Sequence, residues 1–290
     1  MRSRIRRTIG ILALTLGLCA APALSASAIT GGLPDGEQHP NVGLILFYDS
    51  TGRYRCSATL VTPTVLLTAA HCTEGTLGST LVTFDSVIAE QPPSPFPVAD
   101  DVTVGFTDAE IAAAGYLSGT AYTHPEYSGF TDLDNWNDVG VIVLDAPVVG
   151  IEPATIAPLN YLDGFQQPLL NQTIFTSVGY GTEVRKPVSG PQKPTPMSFP
   201  LIRRYAEQPG QKLTAQILQV NGNINDTRGT GGTCFGDSGG PTFLNGYLVT
   251  VTSYGYTSNC RYLGGLQRVE IEVVQDWLAT FGVYPEPAGA

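Results

Sequence analysis

Gly236-Asp237-Ser238-Gly239-Gly240-Pro241 sets one serine, preceded by an acid, in a run of glycines that lets another backbone come close. By itself such a turn is a tight loop and no more. Upstream stand Thr68-Ala69-Ala70-His71-Cys72 and Asn137-Asp138-Val139-Gly140-Val141. The three stretches supply a nucleophile, a base and an orienting carboxylate, the parts of a Ser-His-Asp hydrolase. Taken singly, His71 reads as a structural histidine and Asp138 as a turn residue at a strand start. The order His, Asp, Ser makes them a set.

At 290 residues, 42% hydrophobic and only 14% charged, the chain carries enough apolar material for a sizeable core and does not read as disordered. Residues 1–28 stand apart. Arg2, Arg4, Arg6 and Arg7 precede an apolar run from Ile9 to Ala20, and Ala26-Ser27-Ala28 has the small-x-small form of a cleavage site. That layout is a secretory signal peptide, and the apolar run is too short to span a bilayer. The expectation is therefore a secreted protein whose mature part is 29–290. Cleavage removes four arginines and no acid from the 15 basic and 25 acidic residues, moving the formal charge from −10 to −14. So acidic a surface argues against nucleic acid or an anionic membrane as partner. Nothing after residue 28 is long and apolar enough to act as an anchor.

Strand signals dominate the mature part. Val42 to Phe47, Ser57 to Val61, Val65 to Ala70, Val139 to Leu144 and Ile174 to Val178 are short β-rich runs, and Thr62-Pro63-Thr64 reads as a turn. Asn245-Gly246 predicts a type I′ hairpin between Thr242 and Val249. One helix is expected, at the C-terminus, where Ile271, Val274, Trp277/Leu278 and Phe281 recur at helical spacing before Gly282. Gln91 to Pro97 and Lys186 to Pro200, with four and five prolines, read as surface insertions. No internal repeat is visible. Many short strands with one terminal helix suit an all-β, antiparallel barrel architecture.

Cys19 leaves with the signal, and the remaining Cys56, Cys72, Cys234 and Cys260 imply two disulfides with three possible connectivities. A Cys56–Cys72 bond would close the hairpin at the base of His71, adding roughly 3 kcal/mol by loop-closure reasoning. His39 and His124 each precede proline and read as surface-loop residues.

With these residues in view the chain resembles the chymotrypsin/trypsin family of serine endopeptidases. The matching stretches are Ile29-Thr30-Gly31-Gly32, Thr68 to Cys72, Asp138 to Leu144, Ser177 to Gly181, Thr233 to Pro241 and Ser253-Tyr254-Gly255, and they span the mature chain. The resemblance implies two packed six-stranded β-barrels, with a boundary near 145–160 and an active site in the cleft between them. It implies Ser238 as nucleophile, His71 as general base and then acid, and Asp138 as orienter. The backbone N–H groups of Gly236 and Ser238 would form the oxyanion hole. Cys234 and Cys260 would pair and brace the specificity pocket. Protein or peptide substrates and proteinaceous inhibitors are the implied partners, with a monomer as the default, no cofactor and no metal site.

The resemblance also puts Gly232 at the floor of the primary specificity pocket, with Thr233, Ser253 and Gly255 contacting substrate and the Gly264-Gly265 region in the wall. Glycine in place of an acid predicts cleavage after neutral, apolar or aromatic residues rather than Lys or Arg; a one-residue shift of the alignment would restore trypsin-like specificity. Family members activate when a new N-terminal amine pairs with the acid before the nucleophile, here Ile29 and Asp237. A cut after Ala28 would create that amine directly. Departures are Thr30 in place of the usual valine, only two disulfides, and a poor match from Lys186 to Asp226. Two other readings stand beside the protease: a protease-like binding protein that has lost activity, and a hydrolase of small esters. Asn171-Gln172-Thr173 and Asn225-Asp226-Thr227 have the form of glycosylation sequons.

Overall fold

The computed structural model describes residues 29–184 and 197–287. The signal-peptide expectation and most of the Lys186 to Pro200 insertion lie outside the described residues. Six strands close the first barrel: β1 (Val42–Asp49), β2 (Gly52–Thr62), β3 (Val65–Thr68), β4 (Leu77–Thr83), β5 (Leu117–Thr123) and β6 (Gly140–Leu144). They run in the order β1-β2-β3-β6-β5-β4, with β4 returning to β1. Six more close the second: β7 (Ile174–Gly179), β8 (Arg204–Leu213), β9 (Ile217–Asn221), β10 (Pro241–Leu244), β11 (Tyr247–Gly255) and β12 (Leu263–Arg268). Their order, β7-β8-β9-β12-β11-β10 and back to β7, is the first pattern repeated. The duplication is one of topology, carried by no visible sequence repeat.

The alternation of side chains along a strand explains how the barrels are joined. In β6, Ile142 and Leu144 face the first barrel's interior with Ile45, Leu60, Leu66 and Val82. Val141, from the same strand, faces the other way and joins Val65, Leu67, Leu248 and Val251 in a cluster shared by both barrels. A strand buried on both faces needs a continuous apolar run, and Val139 to Leu144 supplies one. The second barrel has its own core of Phe175, Leu218, Val220, Val249 and Leu266. The expected Asn-Gly turn joins β10 to β11, with positive φ at Asn245 (52°) and Gly246 (85°).

Among the described residues three short α-helices accompany the barrels. The expected terminal one, α3 (Glu272–Ala279), lays Val274 and Leu278 on the shared core and ends ahead of Gly282. Two others were not anticipated: α1 (Asp108–Ala113) and α2 (Leu169–Gln172). The first begins at a reciprocal capping box, in which the Glu110 N–H donates to Thr107 Oγ1 and the Thr107 N–H to Glu110 Oε2. The Gln91 to Pro97 run is exposed as expected from Gln91 to Pro95, whereas Pro97 is half-buried and Phe96 is buried in a cluster with Tyr48 and Phe106.

Both remaining histidines depart from the surface-loop expectation. His124 is 3% exposed and packs on Trp277 of α3, with its Nε2 at 3.3 Å from the Val273 carbonyl. His39 is half-buried, stacked on Phe243 and bonded to Asp35. A proline after a histidine marks a turn in the backbone and says nothing about which way the imidazole points. Asp35 also pairs with the fully buried Arg203 (2.8 Å), whose guanidinium donates to the carbonyls of Gly36, Val42 and Phe84. That pair ties the segment entering the first barrel to the second barrel.

Candidate active site

Ser238 lies in the turn before β10, in the second barrel, yet the first barrel holds the turn in place. Ser57 of β2 donates its N–H to the Ser238 carbonyl (2.8 Å) and its hydroxyl to the Gly236 carbonyl (2.9 Å). The same hydroxyl accepts from Tyr180 N–H (3.0 Å), and Thr68 Oγ1 donates to the Ser57 carbonyl (2.9 Å). Nothing in the sequence marks Ser57, because its role comes from strand β2 lying beside a turn about 180 residues further along. Neither Gly236 N–H nor Ser238 N–H donates to any group among the described residues. Both are free to meet a negative oxygen.

His71 follows β3 on a single 3₁₀ turn, Ala70–Cys72, whose last residue is bonded to Cys56. Its backbone N–H donates to Asp138 Oδ1 (3.0 Å), and its Nδ1 lies 2.9 Å from Oδ2. A carboxylate on Nδ1 puts the proton there and leaves Nε2 as an acceptor facing the cavity. Asp138 is fully buried and receives a third donor, Ser253 Oγ, at 2.6 Å. Ser253 Oγ in turn accepts from Trp136 Nε1 (2.9 Å), so its own proton is directed to the carboxylate. The Asp138 N–H is held by Gln267 Oε1 at 3.1 Å. Ser253 and Gln267 come from β11 and β12, so the second barrel positions the acid while the first supplies the histidine.

His71 and Ser238 line one cavity of about 420 Å3, although no hydrogen bond joins their side chains. Thr233, Ser253 and Gly255 line it. Gly232 does not. It is buried behind the wall, donating to the Thr30 carbonyl (2.9 Å), and a Cβ there would stand 2.5 Å from Gly222 Cα. Among the other lining residues is one that nothing in the sequence marked, Gln208 of β8. The Cys234–Cys260 disulfide borders the same cavity, as the pairing expectation had it.

Asp237 turns away from the cavity and is fully buried. Its Oδ1 accepts from Gly181 N–H (2.7 Å) and its Oδ2 from Cys234 N–H (2.8 Å). A side chain at either Gly179 or Gly181 would collide with this carboxylate. Burial pushes its pKa up to about 7, against the opposing pull of the two N–H donors and of the Arg55 charge. With Ala28 still attached, Ile29 carries a peptide nitrogen rather than an amine. The residue is fully buried, and Thr30 is bridged to Gly232. Cys56, His71 and Cys72 lie close enough to suggest a metal set, but the two sulfurs are tied up in their disulfide, leaving a single imidazole.

Set beside known proteins, the chain matches the family model described as Trypsin over residues 35–278. It is 29% identical to brachyurin of Leptuca pugilator, across 81% of this chain and 90% of that protein. It is 27% identical to kallikrein-2 of Homo sapiens, across 84% and 85% respectively. A solved collagenase structure superposes with a TM-score of 0.57 at 18% identity, covering 89% of this chain and 97% of that one, a likeness of fold.

Proposed function

Because the chain belongs to the trypsin family and is a serine-type endopeptidase, we propose that it cleaves peptide bonds through His71, Asp138 and Ser238. Ser238 Oγ attacks the scissile carbonyl while His71 Nε2 accepts its proton. Asp138 holds the imidazole in the required tautomer and stabilises the imidazolium. The N–H groups of Gly236 and Ser238 bind the oxyanion, and each such donor contributes about 10²–10³ in kcat. His71 then protonates the departing amine, and water, deprotonated by the same imidazole, releases the acyl group from Ser238. The observation that carries this reading is His71, doubly bonded to the buried Asp138, lining one cavity with a serine whose neighbouring N–H donors are unengaged.

Specificity for neutral residues on the acyl side follows from a cavity with no acid among its lining residues. Export by the signal peptide 1–28 and maturation by the same cut after Ala28 complete the reading. An Ile29 amine would then meet Asp237. No helix among the described residues is long and apolar enough to cross a membrane.

A fluorophosphonate probe tests the centre: the wild-type protein takes the label and digests casein, whereas Ser238→Ala does neither. Labelling without casein digestion would leave an esterase, and no labelling of the secreted protein would refute the reading. N-terminal sequencing of the secreted chain is expected to begin at Ile29; an active form beginning upstream would refute the maturation step.

A further inference from the structure

Gln208 has a fully buried side chain, neither end of whose amide has a partner. Such a group is costly to leave in a protein interior, since an amide carries both donors and an acceptor that water would otherwise satisfy. Along β8, Arg204, Ala206 and Gln208 point inward in alternation while Glu207 is exposed, so the register forces Gln208 into the barrel. There it reaches the cavity that holds His71 and Ser238. Gly222, which also lines the cavity, lies against the amide: a Cβ at 222 would stand 3.4 Å from Gln208 Nε2. A side chain at 222 would stand against the amide, and with glycine there the buried amide borders the cavity.

Resting on the protease reading above, we propose that Gln208 is a specificity-determining residue that hydrogen-bonds the far end of the substrate side chain on the acyl side of the cut. The class selected is uncharged side chains with a hydroxyl or amide at the tip and an apolar body. Phe130 and Tyr254 wall the apolar body, and the Gln208 amide can donate to, or accept from, the tip. A charged tip finds no counter-charge among the lining residues. An analogue lacking the polar atom leaves the amide unpaired, which is how a buried polar group discriminates far more strongly than an added methylene does.

The test is a series of peptide nitroanilides differing only in the residue before the cut, in pairs that match in shape and differ at the tip: Tyr against Phe, and Gln against Met. The wild-type protein is expected to favour the polar member of each pair by about ten-fold or more in kcat/KM. Gln208→Leu should bring both ratios to near one, chiefly by lowering turnover of the Tyr and Gln substrates. Equal turnover within each pair by the wild-type protein overturns the inference while leaving the protease reading intact, and needs no variant to fold. Ratios unchanged in a folded Gln208→Leu protein overturn it as well. No turnover of any substrate, with no labelling of Ser238, removes the protease reading and the inference with it.

Discussion

A carboxylate sealed from water needs donors, and Asp138 has three: the backbone and ring nitrogens of His71 and the hydroxyl of Ser253. Asp138→Asn keeps the shape but turns the imidazole to the wrong tautomer, so kcat is expected to fall by about 10⁴ with little change in fold, measured by steady-state kinetics and circular dichroism. Ser253→Ala removes one hydrogen bond to a charge and leaves Trp136 Nε1 without its acceptor. Bonds of that kind contribute about 1.5–3 kcal/mol, so kcat/KM should drop by roughly ten- to a hundred-fold. An unchanged kcat/KM would mean that Ser253 does not support the acid. At this scale the sequence is informative where chemistry depends on a few adjacent atoms. Gly236-Asp237-Ser238 and Ala70-His71-Cys72 declare themselves in a handful of positions. Ser57 and Gln267 do not, because each matters through a partner that the fold alone brings near, and Gln208 does not, because only the fold brings it to the cavity.

Elements were legible where their residues have local causes. The Asn245-Gly246 hairpin and α3 follow from turn chemistry and helical spacing, and both stand where these place them. Helix α1 had an equally local signal in Thr107-Asp108-Ala109-Glu110, a capping box ahead of a run with only one buried residue, Ile111. With no apolar face, the periodicity that reveals longer helices is missing. Thr107→Ala removes the cap and should cost about 1 kcal/mol, read as a melting temperature lower by a few degrees with kcat/KM unchanged. The Cys56–Cys72 bond acts on an element too: it spans 16 residues and joins β2 to the turn that carries His71. Replacing both cysteines by serine should destabilise the protein by about 3 kcal/mol. If activity at low temperature falls further than unfolding accounts for, the bond also positions the imidazole.

Across the whole molecule, the two barrels were legible only through family resemblance, since strand order is set by pairings between distant segments that composition cannot reveal. The candidate centre draws on both barrels at once, and the proposed maturation would bring a new Ile29 amine to Asp237. In a chain with residues still attached before Ile29, the buried Asp237 carboxyl has a pKa near 7, whereas an unfolded aspartate titrates near ~3.9. Between these values the folded chain holds a proton that the unfolded chain has released. Linkage then makes stability fall as pH rises from about 4 to about 7 and level off above, as far as this group is concerned. An Ile29 ammonium reaching Asp237 would add a counter-charge to that of Arg55, draw the pKa down and remove that fall, until the amine itself loses its proton above its ordinary value near ~8. Melting temperature against pH separates the cases, using Ser238→Ala throughout to prevent self-digestion. A form retaining Ala28 should lose stability from pH 4 to 7, and adding Asp237→Asn should abolish that slope. A form beginning at Ile29 should be flat across the same window and lose stability only in alkali. Matching slopes in the extended and trimmed forms would break the link between the new N-terminus and the acid beside the nucleophile.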